Sequence, residues 1–216
     1  MRYAARFLCS LPVLALLTYC ASGSADPGPE RFSGYLQYDV YDKLEPAVAP
    51  SGHEFLRWRD PELGPKYYDA IILEPVTVYP ATSATPELEN ITAFLTAELR
   101  KRLAAENLLI DTPSPRTVRL NVALTAVDVS NSPQRASAVI PSALGLGGTG
   151  GKPVQLDLYF ETKIKDSRTG RFLGSSVRKI SSVQAQQGPD LASFAPELSL
   201  LADDARDALR GLATPP

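Results

Sequence analysis

Two stretches with strict two-residue alternation constrain the fold of this chain more than any other feature of its sequence. Within Val118–Val129, apolar residues occupy every second position from Val118 to Ala126, and Val154–Lys165 repeats the pattern with Thr162 in place of one apolar residue. Because a period of two separates the two faces of a β-strand, each stretch predicts a strand with one face in a core and one in water. The predicted core-facing residues are Val118, Leu120, Val122, Leu124 and Ala126 in the first strand, and Val154, Leu156, Leu158, Phe160, Thr162 and Ile164 in the second.

A turn sequence follows the second alternating stretch. Asp166–Gly170 leads into another strand candidate, Phe172–Val183, so these two strands are predicted to form a hairpin. Glu161 and Arg178 stand at matching depths of that hairpin. We therefore expect a cross-strand ion pair between them on the water-facing side.

One long helix is predicted between the strands. Thr85 can cap it and Pro86 suits its first position. Its apolar stripe has helical spacing and is formed by Leu88, Ile91, Leu95, Leu99 and Leu103. Strand candidates lie before it, at Ala70–Tyr79, where Pro75 indicates a bulge or an edge position, and after it, at Leu108–Ile110.

The order of these elements predicts an α+β fold. A short helix at 139–144 and a C-terminal helix at about Pro196–Leu212 complete the order β-α-β-β-(short helix)-β-β-α. This order favours a largely antiparallel sheet with two main helices packed on it. The predicted organisation is a signal peptide at 1–19, a tether at 20–31, one domain at 32–212 that begins with an irregular aromatic arm (32–66), and a tail at 213–216.

The first twenty residues are typical of an export signal. Arg2 and Arg6 precede an apolar run, Phe7–Leu17, which as a helix would rise about 16 Å against the roughly 30 Å of a bilayer core. The run Leu17–Cys20 follows, and in it Cys20 has the position of a lipid-modified cysteine. No other cysteine occurs after the signal, which fits an oxidising compartment.

Two cleavage sites remain open, and so does an uncleaved membrane anchor. Lipoprotein processing at Cys20 places the bulky Tyr19 where a small residue is usual, whereas ordinary cleavage after Ala25 would release a soluble periplasmic protein. Anchoring at Cys20 is the preferred interpretation. Ala21 after the cysteine then favours the periplasmic side of the outer membrane.

Charge and residue content argue against several classes of function. The formal net charge of −2 offers no basic face for a nucleic acid. His53 is the only histidine, so neither a histidine-based metal site nor a serine triad is expected, and we predict no cofactor. Gly145–Gly150 matches a dinucleotide-binding pattern by letter, but its context favours a connecting loop.

No catalytic constellation is visible, and an enzyme is not the preferred interpretation. The candidate ligand or partner surface comprises Arg57, Trp58, Glu74, Tyr79, Glu161 and Arg178. A carboxylate-based envelope hydrolase that uses Glu74 or Glu161 is the enzymatic alternative. If Arg57, Glu74, Tyr79 and Arg178 surround one deep pocket, binding or catalysis is favoured. If these four are scattered over a convex surface, scaffolding is favoured.

The chain resembles the bacterial lipoproteins of domain-of-unknown-function family 3313. The resemblance runs over roughly Phe32–Leu209 and is most specific at Leu56–Trp58 and Glu74–Val76. Further matches are Ser33–Leu36, Lys43-Leu44, Tyr67, Tyr79-Pro80, Leu124-Thr125, Asp128, Ile140-Pro141, Asp166–Gly170 and Val177–Lys179. The resemblance implies a lipid-anchored envelope protein, but it supplies no catalytic residues.

The leading hypothesis is therefore a non-enzymatic envelope domain. We expect it to contact the membrane through its lipid and to bind or scaffold another envelope protein. A soluble periplasmic ligand carrier is the second alternative beside the hydrolase. The sequence does not indicate an oligomeric state.

Overall fold

The computed structural model describes residues 33–49, 52–62, 68–130, 154–184, 201–203, 205–206 and 209. Nearly all of these residues belong to strands or helices, or to the short links between them. The strands are β1 (Glu45–Val48), β2 (Glu54–Arg59), β3 (Ala70–Leu73), β4 (Thr77–Val78), β5 (Thr117–Ser130), β6 (Val154–Asp166) and β7 (Phe172–Gln184). The helices with defined bounds are α1 (Tyr38–Tyr41) and α2 (Pro86–Ala105).

Within these ranges one sheet contains all seven strands, in the order β1-β2-β7-β6-β5-β3, with β4 also paired to β5. Four of the pairings, β1–β2, β2–β7, β7–β6 and β6–β5, are antiparallel. Only β3 and β4 run parallel to β5. The predicted α+β class with a mainly antiparallel sheet is confirmed, as is the β6–β7 hairpin, whose turn closes at Gly170 with a positive φ of 71°.

Helix α2 forms as its sequence predicts. The Thr85 hydroxyl accepts a hydrogen bond from the Leu88 amide at 3.4 Å, and Pro86 occupies the first turn, where it forfeits no helical hydrogen bond. The entire predicted stripe is buried in the main core, together with Val118, Leu120, Val122 and Leu124 of β5 and Leu158 and Phe160 of β6. We call the face of the sheet that packs on α2 the inner face, and the opposite one the outer face.

The alternation of β5 shifts by one residue near its middle. Its pairing with β6 slips between Leu124 and Ala126, so that Val127 is buried in place of the predicted Ala126. An extra residue in one strand reverses the inside-outside order beyond it. The prediction of a continuous inner face from Val118 to Ala126 is therefore wrong at its last position.

The segment predicted to be an irregular arm contains two strands instead. β2 pairs with β7 and extends the sheet, and β1 pairs with β2 at the edge. The β7 partner of β2 lies more than a hundred residues along the chain, so the local pattern carries no trace of that pairing. The strand predicted at Ala70–Tyr79 is divided into β3 and β4 around Pro75, and Leu108–Ile110 is reduced to one bridge between Leu109 and Ile71.

The predicted C-terminal helix is described only at 201–203, 205–206 and 209, and all of these residues are helical. Leu201, Ala205 and Leu209 are buried in the main core. The predicted short helix at 139–144, the glycine-rich loop and the leader with Cys20 lie outside the described residues. None of the helices in the described ranges is long and apolar enough to span a bilayer.

We predict that Leu95→Ala will lower the free energy of unfolding by about 2–5 kcal/mol, because it opens a void in a core where Leu95 is only 1% exposed. Asn90→Ala on the exposed side of the same helix is the control and should change stability by no more than about 0.5 kcal/mol. Urea unfolding of both variants checks the prediction. Equal effects would contradict the packing of this stripe.

Candidate functional site

The six candidate surface residues do not form one cluster. The backbone alternation places Arg57 and Arg178 on the inner face of the sheet and Trp58 and Glu161 on the outer face. The remaining two, Glu74 and Tyr79, follow β3 and β4. A single binding surface made of all six is therefore not what the fold provides.

The predicted ion pair between Glu161 and Arg178 does not form. In the β6–β7 register, Glu161 stands opposite Val177, and Arg178 stands opposite Phe160. The offset of one residue puts the two charged side chains on opposite faces of the sheet. The prediction assumed that Glu161 and Arg178 stand opposite each other in the hairpin, and it was wrong by one residue of register. This single position is enough to keep the two charged side chains apart.

Glu161 is buried, although its position in the alternation predicts exposure to water. Its exposed fraction is 0%. Residues 33–44, which we call the strap, cross the outer face and pack Leu36, Val40 and Tyr41 against it as a second apolar cluster. The strap thus buries the nominal water side of β6 at Glu161.

The hydroxyl of Tyr41 joins the strap to Glu161. It donates a hydrogen bond of 2.6 Å to Glu161 Oε2 and accepts bonds from the backbone N–H groups of Gly34, at 3.1 Å, and Leu36, at 3.2 Å. Ser33 Oγ lies 3.2 Å from the same oxygen. Burial, and after it the hydrogen bond to Glu161, raises the pKa of Tyr41, so the phenol remains a donor.

A second tyrosine of the strap lies beside this contact. The Tyr35 ring meets the Tyr79 ring edge-on at 5.4 Å, and the Lys163 ammonium lies 3.8 Å from the Tyr35 ring centroid. The Tyr79 hydroxyl donates to the Gly34 carbonyl oxygen at 3.1 Å. Burial, together with the nearby Glu161, raises the pKa of Tyr35 to about 12. Tyr79 therefore belongs to the attachment of the strap.

Trp58 and Glu74 have structural neighbours of their own. The Trp58 ring stacks on Phe172 at 5.2 Å, and the Lys43 ammonium lies 5.8 Å from its centroid. Glu74 forms an ion pair with Arg119 on the neighbouring strand. Both residues are engaged within the fold.

The inner-face candidates lie near a cavity. Arg178 is buried, and its guanidinium carbon lies 4.9 Å from the centroid of the Phe55 ring. Phe55, Arg57 and Arg59 line a cavity of about 70 Å³ between the sheet and the helices. Burial, with repulsion from Arg57 as a second cause, lowers the pKa of Arg59.

Sequence reasoning missed Arg59 and Tyr41. Arg59 follows Arg57 at the two-residue spacing of a strand, a signal that would have placed both on one face had 54–59 been recognised as β2. Tyr41 had no local signal, because its role depends on contact with Glu161, far along the chain. In the part of the chain that the structure describes, no group of three or more metal-ligating side chains is found, and His53 is exposed.

Comparison with known proteins places this geometry in a family context. The model of a family described as "Protein of unknown function (DUF3313)" matches residues 31–213. The uncharacterized lipoprotein YdcL of Escherichia coli K12 is 30% identical over 175 residues, which is 77% of this chain and 77% of that protein.

Comparison with solved structures gives matches of low sequence identity and low TM-score. Protein XCC0632 from Xanthomonas campestris is 10% identical with a TM-score of 0.40, over 71% of this chain and 93% of that one. PelC from Paraburkholderia phytofirmans, solved as a dodecamer, is 12% identical with a TM-score of 0.38, over 80% of this chain and 98% of that one.

We predict that Tyr41→Phe will lower the free energy of unfolding by about 1–3 kcal/mol, because it leaves a buried carboxylate oxygen and two backbone N–H groups without the hydroxyl they share. Tyr38→Phe is the matched control, since Tyr38 is 79% exposed, and should be close to neutral. Denaturant titration measures both variants. A Tyr41→Phe protein as stable as the control would refute the role of this hydroxyl.

The raised pKa of Tyr35 predicts a loss of stability at alkaline pH. Above its ordinary value of 10.0 the unfolded state loses this proton first, while the folded state keeps it up to about 12. Stability should therefore fall as the pH rises between these values, and less steeply in Tyr35→Phe. Unfolding curves from pH 9 to pH 12 test this, and identical slopes for the two proteins would contradict it.

Proposed function

The chain belongs to the DUF3313 family, and on that premise we propose that it is an exported lipoprotein, anchored through Cys20, whose folded domain binds another envelope component without catalysing a reaction. The observation that carries the proposal is the similarity to a protein named a lipoprotein over three quarters of both chains. The leader of this chain supports it, because a short apolar run ends at a cysteine with a leucine three positions before it.

The surroundings of the two candidate carboxylates favour binding over hydrolysis. A general acid or base must come within hydrogen-bond reach of its substrate. Glu161 is covered by the strap and accepts its bond from Tyr41, and Glu74 is paired with Arg119. Both acids thus have internal partners, which argues against the hydrolase and supports a binding or scaffolding role for the domain.

The location that we propose is the periplasmic side of the outer membrane. Its support is Ala21 after the lipidated cysteine, where an aspartate would resemble an inner-membrane retention signal. The second candidate is a soluble periplasmic carrier released after Ala25, which the small residues Gly23–Ala25 favour. The two differ in the first residue of the product and in its mass.

We expect intact-mass analysis of the protein expressed in a Gram-negative host to show a chain that begins at Cys20 and carries acyl chains. Cys20→Ala should abolish the acyl mass, because the thiol that carries the lipid is gone. Cys9→Ala is the matched control, since it removes the other cysteine from within the signal, and it should leave the product unchanged.

Fractionation of the envelope completes the experiment, with the wild-type protein expected in the outer membrane. A product that starts at Asp26 without lipid would refute the anchor and favour the soluble carrier. An unmodified chain that begins at Met1 in the cytosol would refute export altogether.

A further inference from the structure

The inner face carries a cavity that the packing of α2 does not fill. Its volume is about 70 Å³, several times the roughly 10–15 Å³ that one water molecule needs. Leu99 of α2, Leu120 and Val122 of β5, and the helical residues Leu201 and Ala205 form its apolar wall. A chain of apolar atoms would bury its surface against this wall.

Small side chains on the sheet create the space. Gly174 and Ser176 of β7 line the cavity at positions where the neighbouring strand carries Thr162 and Ile164. A Cβ at position 174 would lie 3.0 Å from the carbonyl oxygen of Trp58, so any larger residue there would push β2 outwards by a few tenths of an ångström. The Ser176 and Thr162 hydroxyls bond each other at 2.8 Å, so these two groups do not need a polar ligand.

The other end of the cavity is cationic. Arg57 and Arg59 project from β2 on the same face, two residues apart, and both line the cavity. Arg57 is also exposed, so the cavity reaches solvent at this end. The lining residues that the structure describes include these two arginines and no acidic side chain.

The two guanidinium groups lack compensation within the described ranges. Neither takes part in an ion pair there, whereas other arginines of the fold, such as Arg171 with Asp60 and Arg119 with Glu74, do. The lowered pKa of Arg59 reflects its partial burial and the repulsion by Arg57. An anion placed between them would relieve that repulsion and accept charge-assisted hydrogen bonds.

We propose that this cavity binds an amphiphile with one acidic head group and an apolar chain, the chain lying against Leu99, Leu120 and Leu201 and the acid held by Arg57 and Arg59. An apolar wall beside two arginines is complementary to a ligand that has both an apolar chain and an acidic group. A neutral lipid would leave the arginines without an anion, and a bare anion would leave the apolar wall uncovered. The inference deepens the binding role proposed above by naming the class of ligand. A free fatty carboxylate and an anionic phospholipid share this chemistry.

The test uses the full-length lipoprotein in nanodiscs of zwitterionic phosphatidylcholine, titrated calorimetrically with octanoate and with octanol. Octanoate should bind and octanol should bind more weakly. Arg57→Gln combined with Arg59→Gln should weaken octanoate binding by about tenfold or more, as expected for the loss of charge-assisted contacts. Arg168→Gln, an exposed arginine in the β6–β7 turn, is the matched control and should bind like the wild type.

Ala205→Leu tests the apolar wall independently, since it fills the cavity without touching a charge, and it should abolish octanoate binding. Circular dichroism and thermal unfolding confirm that each variant is folded. The same titration in phosphatidylglycerol nanodiscs identifies the source of the ligand. If the apparent affinity for octanoate falls in these nanodiscs, phosphatidylglycerol competes for the cavity and the ligand is an anionic phospholipid. If the octanoate affinity is undiminished, the ligand is a free fatty acid.

Three results would overturn the proposal: no octanoate binding at millimolar concentration, unchanged affinity in the double arginine variant, or unchanged affinity in Ala205→Leu. These failures are distinguishable from failure of the proposed lipoprotein function, because they leave the acyl mass at Cys20 and the membrane fractionation untouched. Conversely, an unlipidated product would refute the anchor and leave the cavity measurements valid.

Discussion

The buried carboxylate of Glu161 imposes the strongest requirement on this fold. A carboxylate withdrawn completely from water is costly unless hydrogen-bond donors reach it. The Tyr41 hydroxyl supplies one such donor, and the amides of Gly34 and Leu36 hold that hydroxyl in place. The strap is therefore attached to the sheet by a polar contact as well as by apolar burial, and it covers the outer face at Glu161.

The two faces of the sheet differ in chemistry because of a one-residue offset in the hairpin register. Phenols, an acid and an ammonium group meet on the outer face, where the strap covers them. Guanidinium groups and a cavity occupy the inner face, towards β2. The sequence positions of polar residues on neighbouring strands do not reveal this division. An error of one residue in the predicted register assigns a side chain to the opposite face of the sheet.

The elements predicted correctly from sequence are those whose determinants are local. Helix α2 has its cap, its first-turn proline and its stripe within one stretch, and the β6–β7 hairpin has its turn between two strands. The burial of Glu161 and the pairing of β2 could not be predicted, because each depends on a partner more than a hundred residues away. The slip after Leu124 also escaped prediction, since one surplus residue leaves the alternation on either side intact. The two features of the candidate sites are the strap contact and the paired arginines of β2. Both depend on partners more than a hundred residues away along the chain.

The position of the Tyr41 contact has a mechanical consequence. Strand β6, which carries Glu161, lies in the interior of the sheet between β5 and β7. The chain that precedes Ser33 leads directly into the strap, so a pull on the N-terminal side loads the contact between Tyr41 and Glu161 before it reaches the edge strand β1. Tension from that direction must detach the strap from a central strand before the edge strand can be peeled away.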